Sequence, residues 1–227
     1  MAPKDLDSLK FGLRSLTQMI WITTHDAPCW IAAMKPLLSH QAQAKVYQPF
    51  ATDGLLPLKD YPVPSRHEGK EHVTPLTALQ NVLGSAERSS TGIVFLPHVE
   101  WNDEIDLTLR QIQDRGTEDD GRWVKMLVFL NAGPPPAKYE DFVGLHIVDK
   151  GPTIDEVRVF MADIVQKLGV PADSESFVES MQGLSFRQIM TLVSQAVIMS
   201  KLPQGGSATL RVEDVRVLRT KMKGVYG

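Results

Sequence analysis

Short apolar runs, set apart by stretches of helical periodicity, constrain this chain more than any other feature. Residues 19–22, 93–96, 124–130 and 143–148 are mostly apolar and too short for helices, and residues 45–50 add a run of alternating type. Runs of this kind read as strands buried on both faces. Between them apolar residues recur at helical spacing: Leu6, Leu9 and Leu13; Trp30, Ile31 and Met34; Leu76, Leu79 and Val82. Thr23-Thr24-His25-Asp26 has the composition of a turn and cap, and Pro28 suits a first helical turn, where its missing N–H costs nothing. Thr74 caps a helix opening at Pro75 in the same way. Residues 53–73 carry Pro57, Pro62 and Pro64 and read as a long surface loop.

Strand and helix alternate as far as Asp149, after which only helical periodicity remains. Thr153 and Glu156 have the spacing of a capping box, and helices are expected over 154–168, 174–181, 186–201 and 212–222. The expected fold is therefore α/β: a three-layer domain with a parallel five-stranded sheet in residues 1–150, then a small helical subdomain in 151–227.

Charge bounds the function. Lys and Arg number 24 against 27 Asp and Glu, a formal charge of −3, so no broad field for nucleic acid is implied. Cys29 stands alone, which rules out an internal disulfide and suits a reducing compartment. The N-terminal residues lack an apolar leader, and no apolar run approaches the roughly 20 residues of a spanning helix. A cytoplasmic protein without a membrane partner is expected. The six histidines lack the spacing of a helical zinc pair, so no metal is expected. Neither a Gly-x-Ser-x-Gly elbow nor a Gly-x-Gly-x-x-Gly fingerprint is present.

Particular residues carry a family resemblance. The five-strand succession, Thr153-Ile154-Asp155-Glu156-Val157, and Gly183-Leu184-Ser185-Phe186-Arg187-Gln188-Ile189 resemble the AAA+ ATPases, whose helical lid carries a Gly-Leu-Ser/Thr-x-x-x-Ile segment. Residues 19–24, 45–50, 74–100, 125–147 and 214–226 are similar to the degenerate N-terminal half of AAA proteins from cyanobacteria and plastids. The resemblance implies a P-loop NTPase-type core with a helical lid.

It also implies chemistry that these residues do not supply. A phosphate loop needs glycines, a lysine and a Ser/Thr between the first strand and the next helix. Residues 23–29 have neither glycine nor lysine, and Asp26 would repel phosphate. The third strand should end in an acidic pair, but Leu96-Pro97-His98 stands there and Glu100 comes two residues late. Asn131 matches a position that senses the γ-phosphate, and Arg187 matches an ATP-sensing arginine of the lid; both are read as vestigial. No arginine lies between Asn131 and Asp149 to act as a finger.

The expectation is a non-catalytic AAA+-like module without a cofactor, working through protein–protein assembly with an active AAA+ ATPase or with itself as a homo-oligomer. Arg211, Arg216, Arg219 and Lys223 of the basic C-terminal helix are its candidate interaction residues. An alternative is a nucleic-acid-associated adaptor of clamp-loader or replication-accessory type, motivated by that helix and by Arg66. A third is a small-molecule enzyme using His25, Asp26, His98 and Asn131 at the strand ends.

Overall fold

The computed structural model describes residues 5–38, 43–62, 71–84, 92–118, 124–168, 174–201 and 212–226. They fall into two compact units, 1–149 and 150–227. The first is built from α1 (Leu6–Arg14), β1 (Met19–Thr23), α2 (Ala27–Leu38), β2 (Ala44–Tyr47), β3 (Leu55–Pro57), α3 (Pro75–Gly84), β4 (Gly92–Pro97), α4 (Asp103–Glu118), β5 (Lys125–Asn131) and β6 (Leu145–Val148).

The sheet has the order β3-β2-β4-β5-β1-β6. Five strands are parallel, and β3 pairs antiparallel with β2 at one edge. The expected parallel sheet is thus present, with a sixth short strand inside the stretch read as a surface loop. Its proline explains why the sequence hid it. Pro57 pairs with Lys45 at the outer edge, where no further strand needs its missing N–H.

Alternation along the strands explains why the runs look continuously apolar. Ile20, Ile22, Phe95, Val128 and Leu130 point to one face and pack with α1 and α2. Met19, Trp21, Val94, Leu96, Leu127 and Phe129 point to the other and pack with α3 and α4. Both faces are covered, so the inner strands β1, β4 and β5 have no polar side to show, whereas the edge strand β6 exposes His146. Close packing leaves little slack: a Cβ on Gly12 of α1 would come within 2.6 Å of the Leu145 side chain. Pro36 lies inside α2, which nonetheless continues to Leu38.

The second unit holds α5 (Ile154–Leu168), α6 (Ser174–Met181), α7 (Phe186–Lys201) and α8 (Val212–Tyr226). Their apolar faces meet in a core containing Val157, Met161, Phe177, Met181, Ile189, Leu192 and Val215. Thr153 and Glu156 form the expected capping box, with the Glu156 carboxylate accepting from Thr153 N at 2.7 Å. Ser185 and Gln188 make a second one at the start of α7. Among the described residues, no helix is long and apolar enough to cross a membrane.

Candidate functional site

In an open parallel sheet, ligands sit beyond the C-terminal ends of the strands. Here that crest has two distinct parts, one closed by its own hydrogen bonds and one open as a cleft.

The closed part is the crossover from β1 to α2. Thr24 is 1% exposed and Asp26 8%. The Thr24 hydroxyl donates to Asp149 Oδ2 at 2.7 Å and accepts from Asp26 N at 3.0 Å. The indole N–H of Trp30 donates to the same Asp149 oxygen at 2.9 Å. Asp26 caps α2, its carbonyl and carboxylate both accepting from Cys29 N. Trp30 N also reaches the Asp26 carbonyl, at 3.4 Å. Cys29 N and Trp30 N in the first turn of α2 are thus engaged by Asp26, Pro28 has no N–H, and two carboxylates flank the turn. Burial pushes the Cys29 thiol above its ordinary pKa, and the negative charges of Asp26 and Asp149 add to the effect.

A nucleoside triphosphate with its magnesium would need the opposite arrangement: free, convergent amide donors and a cation. The residues present do not fit such a group.

The neighbouring connection, from β4 to α4, is fixed by Asn131. Its side-chain oxygen accepts from Val99 N at 3.0 Å, and its amide donates to Val99 O at 3.2 Å. Trp101, two residues on, packs at a tilt against Tyr139 (centroids 4.6 Å apart), Phe129 (5.1 Å) and Trp21 (5.5 Å). With Val99 and Trp101 turned inward, His98, Glu100 and Asn102 face outward. His98 adopts a left-handed backbone, φ 54°, which costs a non-glycine residue on the order of 1 kcal/mol and is held by the pairing beside it.

The open part is a cleft of about 660 Å³ over the ends of β2 and β4, beside the first turns of α3 and α4. Its wall between β2 and α3 is tied by Tyr47, whose hydroxyl donates to Val73 O at 2.9 Å, and by Val73 N bonding to Pro49 O at 2.7 Å. Asn102 Oδ1 caps α4 through Ile105 N at 2.8 Å.

The structure brings together some of the residues singled out from the sequence and separates others. Asn131 ends β5 as expected, and both ends of its amide are engaged by Val99. His98 and Glu100 line the cleft, whereas Asp26 belongs to the closed turn. His25 is exposed. Arg187 lies exposed in the first turn of α7. Arg219 donates to the carbonyls of Ser180 and Gln182 (2.8 Å to the latter), so it closes the C-terminal end of α6. Arg216 is exposed. Arg66, Arg211 and the side chain of Lys223 lie outside the described residues. Asp149, Tyr61 and Glu104 were not singled out. Asp149 carried no signal, because its partners are more than a hundred positions away.

The core-plus-helices plan, with β1 between β5 and β6, is an AAA+-like fold. Solved structures show the same likeness. A chain of the HORMA:CdnC:Trip13 complex from E. coli MS115-1 matches with a TM-score of 0.53 and 10% identity, over 95% of this chain and 77% of that one. The RuvB Holliday junction branch migration motor of Thermotoga maritima matches with a TM-score of 0.55 and 13% identity, over 95% of this chain and 67% of that one. At these identities the likeness is one of fold. No protein-family model matches the chain, and no curated protein matches it in sequence.

Proposed function

We propose that this chain is a non-catalytic AAA+-like module that works through protein–protein assembly, as a scaffold or regulator of an active ATPase or by self-association. The observation that carries this reading is the closed β1–α2 crossover. Cys29 N and Trp30 N serve Asp26, and Asp149 holds Thr24 and Trp30 where a phosphate loop would leave amides and a lysine free. Phosphoryl transfer depends almost wholly on positioning and charge neutralisation. Without those parts the fold retains surfaces rather than chemistry. The likeness to a chain from a multi-protein complex supports the assembly role at the level of fold.

Two measurements test the reading. Titration of the purified chain with magnesium and ATP by calorimetry is expected to give no binding; micromolar affinity overturns the non-catalytic assignment. Light scattering of the chain, alone and mixed with AAA+ ATPases from the same cell, is expected to show a homo-oligomer or a mixed complex. A strict monomer that associates with none of them overturns the assembly role.

A further inference from the structure

The cleft over β2 and β4 has a mixed lining that selects its occupant. Its lining includes the half-buried Pro49 and Pro97 and the buried Ile105, while Glu100 and Glu104 stand exposed. Among the described lining residues there are two carboxylates, two histidines (His72 and His98) and neither lysine nor arginine. Lys35, which reaches the backbone here, donates to the Tyr61 carbonyl at 2.6 Å. Glu104 lies in the first turn of α4. Glu100 and Glu104 oppose the pull that the N-termini of α3 and α4 exert on a phosphate-bearing ligand, and a bare inorganic cation would leave the apolar wall uncovered. An aliphatic stem with a cationic head satisfies both, which is the build of a lysine or arginine side chain.

The walls are preorganised. Prolines 28, 49, 75 and 97 have fixed φ, the Tyr47–Val73 bond holds one side, and the Asn131–Val99 pair holds the other. Rigid walls lose little entropy on binding. A volume of about 660 Å³ accommodates a few residues of extended chain.

We infer that this cleft is a docking groove for an extended basic segment of a partner protein, with Glu100 and Glu104 receiving its lysine or arginine head groups. The inference rests on the protein-assembly reading and names a surface and partner chemistry for it. Fluorescence anisotropy tests it with fluorescein-labelled hexapeptides that alternate proline with arginine. The same peptide with glutamate in place of arginine serves as control, and free agmatine as competitor.

The arginine peptide is expected to bind at least tenfold more tightly than the glutamate peptide, and the E100Q/E104Q variant to lose that preference with an unchanged circular dichroism spectrum. Absence of binding, equal binding of the two peptides, or full affinity in the variant overturns the groove. Displacement by agmatine at a concentration equal to the peptide's Kd overturns it in favour of a site for small organic cations. Light scattering of E100Q/E104Q separates the two readings: assembly that persists without peptide binding removes the groove and leaves the assembly module standing.

Discussion

One carboxylate oxygen of Asp149 serves two buried donors, the Thr24 hydroxyl and the Trp30 indole. Each donor stranded by its removal costs about 1–3 kcal/mol. Asp149→Ala is therefore expected to lower stability by roughly 2–6 kcal/mol in urea unfolding, and Asp149→Asn, which keeps an acceptor oxygen, to lose less. Cys29 reports the same turn. Its pKa is raised by burial and by the nearby acids, so the folded chain should alkylate more slowly at mildly alkaline pH than the unfolded chain. The folded thiol holds its proton more tightly than the unfolded one, so its contribution is intact below the unfolded pKa and is lost as pH rises through the folded value. Iodoacetamide rates against pH, folded and in urea, check both statements. Thr24 and Asp26 were legible as a turn and cap because such bonds are local. Asp149 was not, because it meets Thr24 and Trp30 only when β6 pairs with β1.

Helix starts were the most legible elements. The Thr153–Glu156 box is a three-residue pattern, and the structure forms it as written. Thr153→Ala is expected to cost about 1 kcal/mol, with Thr153→Ser close to neutral, by thermal unfolding. The edge strand β3 was not legible: three residues containing a proline carry no periodicity, and only β2 beside it supplies the pairing. Arg219 gives the converse lesson. On its helix it reads as a free basic residue, yet the folded unit points it at the open carbonyls ending α6. Charge on a helix face declares solvent or partner equally well, and packing chooses between them.

At the scale of the whole molecule, the fold keeps the AAA+-like plan while Asp26 and Asp149 hold the β1–α2 crossover through hydrogen bonds. A ligand at about 100 times its Kd adds about 2.7 kcal/mol to folding and raises the melting midpoint by several degrees. Millimolar magnesium and ATP are expected to leave the midpoint of this chain within about one degree of its value without them, as read by differential scanning fluorimetry. A rise of several degrees shows that the crossover opens to accept the nucleotide.

The sequence alone determined the layers: the strand runs, their burial on both faces, the helical remainder and the residues standing in the β1–α2 turn. All of these follow from local periodicity, side-chain chemistry and hydrophobic burial, which need no knowledge of distant neighbours. Tertiary structure alone decided which strands adjoin, and with that the closure of the turn by Asp149, the clamp of Asn131 on Val99, and the meeting of α3 and α4 around a cleft bearing Glu100 and Glu104. These contacts join residues far apart in the chain, and their partners are set by the order of the strands rather than by any pattern along them.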